Sequence, residues 1–144
     1  MKKIITASDT ATKQFGKQFT ARLQGGDIVC LYGELGAGIT TLVKGIAEGL
    51  GIKEEITSPT FTLMNIYKIL NLKSTILNLV HIDTYRLKDE KELLEIGVED
   101  YLGQPEMVTV VEWPEKIKNL LKNKTVINIY LDHGSGDERS ITVE

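Results

Sequence analysis

Apolar positions along this chain gather into short runs, separated by glycine-rich and polar stretches. The most apolar run, Ile28-Val29-Cys30-Leu31-Tyr32, shows no alternation, the pattern of a strand buried on both faces of a parallel sheet. Upstream, residues 3 to 6 predict a short strand. Ser8 or Asp9 can cap a helix running to about Gln24, with Ala11, Phe15, Phe19 and Leu23 at i, i+4 spacing on one face. Gly25-Gly26 ends that helix, and Thr40 to Leu50 predicts a second, closed by Gly51.

Further along, Ser58-Pro59-Thr60 predicts a turn, because proline has no N–H to give to a sheet. Strand-like runs follow at Phe61 to Ile69 and Ile76 to Asp83, joined by a hairpin connection at Asn71 to Ser74. Asp89 to Ile96 reads as a short acidic helix ended by Gly97, and Val98 to Leu102 as one more turn. Met107 to Trp113 is again a strand, with a short helix from Glu115 to Leu121 behind it. Strands at about 125 to 132 and 139 to 144 close the chain around the turn-rich His133-Gly134-Ser135-Gly136. This order predicts a three-layer α/β fold with a mostly parallel central sheet and antiparallel edge hairpins.

Length and charge narrow the function. The 144 residues, 42% hydrophobic, fit a single domain spanning residues 1–144. Seventeen Lys and Arg against 20 Asp and Glu leave a net charge of -3, so no broad basic field is available for nucleic acid, and RNA would come through a partner. The single cysteine, Cys30, sits in an apolar run and reads as a buried thiol, in keeping with a reducing cytoplasm. No apolar stretch approaches the ~20 residues of a membrane span. The start Met1-Lys2-Lys3-Ile4-Ile5 turns polar too soon for a signal peptide. A soluble, cytoplasmic protein is expected.

Chemistry concentrates after the apolar strand, in Gly33-Glu34-Leu35-Gly36-Ala37-Gly38-Ile39-Thr40-Thr41. The phosphate-loop pattern G-x-x-x-x-G-K-[ST] uses glycines to wrap backbone N–H groups around phosphates, a hydroxyl to hold Mg²⁺ and a lysine to reach the β/γ-phosphates. Everything but the lysine is here. Such glycine and hydroxyl spacing arises by chance in roughly one chain of this length in ten. The strand before it and the helix after it make a nucleotide site the stronger reading over a glycine turn that merely packs.

Thr40 is a candidate Mg²⁺ ligand as well as a helix cap. Asp83 and Glu112 each end an apolar run, which in a parallel sheet sets them at the carboxyl edge where ligands bind. The hydroxyl-rich Thr57 to Thr62 fits a switch loop or an ordinary turn. Arg86 suits phosphoryl-charge stabilisation or plain surface duty, and Trp113 suits packing better than base stacking. His81 and His133 lack companions at zinc-ligand spacing.

Four motifs in register, Gly33 to Thr41, Ser58-Pro-Thr-Phe-Thr62, His81-Ile-Asp-Thr-Tyr-Arg-Leu87 and Val111-Glu-Trp-Pro114, resemble the TsaE (YjeE) family over nearly the whole chain. The resemblance implies a P-loop NTPase-like fold and an Mg²⁺-dependent ATPase that acts in tRNA threonylcarbamoyladenosine synthesis. It implies TsaD and TsaB as partners, with tRNA, at adenosine 37 of ANN-reading species, reached only through them. By motif, Gly33, Glu34, Leu35, Gly36, Ala37, Gly38, Ile39, Thr40 and Thr41 would hold the nucleotide. Thr40 and Glu112 would ligate Mg²⁺, Asp83 would support the metal or the attacking water, and Thr60 would act from the switch-like loop. Asp9, Thr10 and Arg139 are further candidates, on the base and ribose side.

Ile39 stands where the family pattern has lysine, and isoleucine neither donates a hydrogen bond nor carries charge. Lys44, five residues later, should project off another helix face. Three explanations stay open: an altered residue, a member that binds nucleotide through backbone and metal alone, or a member kept as a partner-binding subunit.

Overall fold

The computed structural model describes residues 2–59, 62–71 and 73–144. In chain order its elements are β1 (Lys2–Thr6), α1 (Asp9–Phe19), β2 (Ile28–Tyr32), α2 (Ile39–Gly49), β3 (Met64–Lys68) and β4 (Asn78–Asp83). There follow α3 (Lys91–Glu95), β5 (Met107–Glu112), α4 (Lys118–Leu121), β6 (Val126–His133) and β7 (Arg139–Val143). The strands form one seven-stranded sheet in the order β1-β7-β6-β2-β5-β4-β3. Its middle, β6-β2-β5-β4, is parallel throughout, and antiparallel pairs close both edges. The expected three-layer α/β architecture is therefore present.

Alternation along the strands divides the core into two apolar clusters, one per sheet face. Val29, Leu31, Val108, Val110 and Ile129 pack with Leu42, Val43 and Ile46 of α2 and Phe19 of α1. On the opposite face Ile28, Cys30, Val80, Ile82 and Val111 meet Leu93, Val98, Leu102 and Ile117. β2 needs apolar residues at consecutive positions because it feeds both clusters.

Helix α1 departs from the expected pattern. Ser8 caps it as anticipated, its side chain accepting from Ala11 N at 3.1 Å. The α-helix ends at Phe19, however, and a 3-10 turn, Thr20–Arg22, leads to an extended Leu23. The buried positions are Thr12, Gly16 and Phe19, with Ala11 and Phe15 beside them. Close helix packing explains the shift: a Cβ on Gly16 would lie 2.7 Å from Leu42 O, and one on Gly45 would lie 2.2 Å from Lys13 O. With Gly49, where a Cβ would lie 2.6 Å from Lys17 O, these glycines let the α1 and α2 backbones touch, and the contact line follows them. Lys13 and Lys17 also pair with Glu48 across this junction, and the hydrogen bond from Lys13 holds the Glu48 carboxyl below its ordinary pKa. These groups are exposed and screened, so packing carries the interface.

Other boundaries move by one to three residues, as strand and helix ends commonly do. The expected strand from Phe61 begins at Met64, after Leu63 takes a left-handed φ of 65° that breaks the extended run; Phe61 itself lies outside the described residues. The helix expected from Glu115 is a 3-10 turn, Pro114–Ile117, followed by α4. Among the described residues no helix is long and apolar enough to cross a membrane.

Gly45→Ala should cost about 1–3 kcal/mol in urea unfolding, since the new methyl meets backbone that cannot step aside. Burial pushes the Cys30 thiol from 9.0 up to about 12. Between those two pH values the unfolded chain releases this proton and the folded one keeps it, so folding loses stability as pH rises. Cys30→Ala should lose less than the parent when unfolding is compared at pH 8 and pH 10.5.

Candidate functional site

The loop between β2 and α2 is built on glycine conformations. Gly36 and Gly38 have φ of 85° and 102°, a region L side chains rarely occupy. A Cβ on Gly33 would lie 2.9 Å from Leu131 O, so this position is closed to side chains by its neighbour strand. Ala37 N donates to Glu34 O at 3.0 Å and tightens the turn. Gly38 is the N-cap of α2 and offers no side-chain cap. The first N–H groups of the helix thus remain for an anion, with the positive end of the helix dipole behind them.

Arg139, at the start of β7, ties this loop to the β6–β7 hairpin. Its Nη2 donates to Gly36 O at 3.2 Å, and its Nη1 donates to Gly136 O at 2.9 Å and Glu138 O at 2.8 Å. Its buried Nε has no partner among the described residues. One arginine therefore fixes a loop carbonyl from a segment about a hundred residues away in sequence, and keeps N–H capacity in reserve.

Two carboxylates face the loop from the adjacent strand ends. Asp83 and Glu112 are register partners across the parallel β4–β5 pair and so point to the same face. Asp83 Oδ2 accepts from Ser58 Oγ at 3.0 Å and its Oδ1 from Tyr85 N at 3.0 Å. Glu112 is only 7% exposed and accepts a hydrogen bond from His81 Nε2. The buried Thr84 donates its hydroxyl to the carbonyls of Glu112 and Trp113, which latches the two strand ends together. Trp113 takes a left-handed φ of 59° ahead of Pro114, and its ring lies 5.2 Å from that of Tyr85.

A cleft of about 260 Å³ runs along the loop, lined by Glu34, Leu35, Gly36, Gly38, Thr40 and Thr41 on one side. Asp9, Arg139, Glu112 and Trp113 line the rest, and Ile39 contributes an edge. A second cleft of about 210 Å³ shares Leu35, Thr40, Glu112 and Trp113 and continues to Ser58, Asp83 and Arg86. Thr40, Glu112 and Asp83 thus meet on one trough. Gly33 and Ala37 support the loop from beneath, and Thr10 is exposed on α1 beside Asp9. Thr60 lies outside the described residues.

The donor set suits a shared metal better than a protein cage. Among the described residues no group of three or more His, Cys, Asp and Glu is arranged to hold an ion. One hydroxyl and one or two carboxylates suit Mg²⁺, which keeps waters and takes phosphate oxygens to complete its octahedron.

The family model described as "Threonylcarbamoyl adenosine biosynthesis protein TsaE" matches residues 6–141. The chain belongs to the TsaE family. The TsaE protein of Bacillus subtilis is 39% identical over 95% of this chain and 81% of its own length. That of Treponema pallidum is 41% identical over 96% of this chain and 95% of its own. A crystal structure of Bacillus subtilis YdiB superposes with a TM-score of 0.74 at 33% identity, covering 99% of this chain and 83% of that one.

Within this TsaE-family chain, Ile39 packs downward. It is 8% exposed, belongs to the α2-side core, and its Cδ1 lies 3.3 Å from where a Gly33 Cβ would sit. Lys44 is exposed in a separate groove with Glu54 and Glu55, so it does not replace the missing cation. Sequence reasoning passed over His81 and Thr84 as site residues. His81 stands two positions before Asp83, a spacing that sets both on one strand face and was readable from the sequence.

Arg139→Met should free the Gly36 carbonyl while leaving β2 and α2 packed. Hydrogen exchange of peptides covering residues 34–38 is expected to speed up roughly tenfold, about 1.4 kcal/mol, with the β2 core amides unchanged.

Proposed function

We propose that this chain is the nucleotide-binding ATPase subunit of the machinery that forms N6-threonylcarbamoyladenosine at position 37 of ANN-reading tRNAs, working with TsaD and TsaB. The observation that carries the reading is the meeting of the glycine loop, Thr40 and Glu112 around one cleft. Family membership supports the pathway, since the matching relatives are named for tRNA threonylcarbamoyladenosine biosynthesis. The net charge of -3 supports tRNA contact through partners rather than through a basic surface of this chain.

In this reading the loop amides and the α2 N-terminus bind the phosphates of ATP. Mg²⁺, when bound, would supply positive charge that offsets the negative charge developing on the phosphates in transfer. Thr40 and Glu112 are the side chains that would hold it. Asp83, steadied by Ser58 and Tyr85 N, is the acceptor that orients an attacking water. Arg139 keeps the loop shaped to receive the phosphates and gives the nearby cleft its cation.

A second reading, a nucleotide-sensing subunit without hydrolysis, draws on Ile39. An apolar side chain turned into the core leaves the β/γ-phosphate region without the lysine that ordinarily offsets its charge.

One comparison tests both. Mg²⁺-ATP affinity by calorimetry, and turnover with TsaB and TsaD, should be measured for this chain and for Ile39→Lys. The parent is expected to bind, and lysine to tighten Mg²⁺-ATP at least tenfold, about 1.4 kcal/mol, and to raise turnover. The same change should lower folding stability by about 1–2 kcal/mol, because the lysine stem recovers only part of the isoleucine burial. Turnover confined to Ile39→Lys selects the sensing reading. Absence of nucleotide binding by both chains sinks the proposal.

A further inference from the structure

Glu112 is almost wholly withdrawn from water, and a carboxylate there needs a donor. Among the described residues its Oε2 has one, His81 Nε2, and its Oε1 has none. His81 is itself 2% exposed on β4, and its Nδ1 is buried without a partner among the described residues. Among the described residues the imidazole therefore has a single polar contact, the carboxylate. Neighbouring strand positions that face the same core, Leu79 and Val110, are filled by aliphatic side chains. A residue chosen for packing alone would follow them and avoid the unpaired ring nitrogen.

We propose that His81 is the positioning residue for Glu112: its Nε2–H engages one carboxylate oxygen and leaves the other uncommitted at the cleft wall shared with Thr40. This rests on the reading of Thr40 and Glu112 as the metal side of a nucleotide site. Parallel pairing gives the arrangement its rigidity. Glu112 registers with Asp83 and Val110 with His81, so the histidine lies one pleat below the carboxylate on the same face of the sheet. Thr84, the residue just after β4, fixes the Glu112 main chain, and His81 fixes its side chain. Carboxylates that ligate metals are commonly held by such outer partners, and removing the partner weakens metal binding about 10- to 100-fold.

The test is calorimetry of ADP binding, in Mg²⁺ and in EDTA, for the parent, His81→Leu and His81→Gln. Urea unfolding of each protein checks that it is folded. His81→Leu should weaken ADP binding about 10- to 100-fold in Mg²⁺ and leave the EDTA affinity unchanged. His81→Gln keeps an N–H donor at nearly the same reach and should recover most of the loss. Equal weakening with and without Mg²⁺, or no weakening in either, overturns the positioning role while the nucleotide site stands. If His81→Leu does not fold, His81→Gln with parental Mg²⁺-ADP affinity supports the role. His81→Gln with affinity lost equally in both conditions overturns it. A parent that binds no ADP in either condition overturns the nucleotide reading, and the inference with it.

Discussion

β2 is hydrogen-bonded to β5 on one side and to β6 on the other, and four of its five residues are buried. Its C-terminal end cannot shift without breaking two parallel ladders at once. The glycine loop leaves from that end, so its first residue is anchored by the sheet itself. The same ladders place the ends of β4 and β5 beside it, and in this way Glu112 and Asp83 reach the loop without any segment of their own to position them. In a parallel sheet all such strand ends point the same way, and the site is a consequence of that direction.

The far end of the loop depends on α2, and α2 depends on α1. Where Gly16 and Gly45 bring the two helix backbones into contact, a rigid pair forms against the sheet, and the N-terminus of α2 is thereby aimed at the cleft. Arg139 adds a third anchor from the chain's last strand. The loop is thus held by strand, helix and hairpin, which matters because glycine backbone has the most conformational freedom to lose. An anion arriving at such a loop has little ordering left to impose.

Much of this was legible in the sequence, for reasons that differ element by element. The unbroken apolar run at residues 28–32 announced a strand buried on both faces, because only such a strand tolerates no polar position. Gly33 to Thr41 announced the loop, because so few residues accept those backbone angles. The α1 stripe was legible only in part: Phe19 and Leu23 join the core and Phe15 packs against it, but i, i+4 spacing marks apolar side chains and does not show the line of closest approach through Thr12 and Gly16. Arg139 and His81 act across long sequence separations, and neither the staple to Gly36 nor the bond to Glu112 leaves a local pattern. Asp83 and Glu112 could be placed at strand ends from the sequence, yet their pairing in register needed the sheet order.

Ile39 shows how one position can serve fold and chemistry in opposite directions. Its side chain fills space beneath Gly33, where the loop glycines leave a hollow next to the core. Burying it contributes about 1.5–3 kcal/mol relative to exposure, at the base of the glycine loop. A lysine there would have to leave that hollow to reach a phosphate, trading packing for charge. The backbone amides, the α2 dipole, Thr40 and Glu112 do not depend on this choice, since none of them is made by the residue 39 side chain. In the proposed reading, what isoleucine removes is charge aimed at the outer phosphates, which costs affinity in binding and more in a transfer step. Under the proposed nucleotide-binding reading, substitution at this position therefore acts on affinity and more strongly on turnover, while the loop amides, Thr40 and Glu112 keep their places.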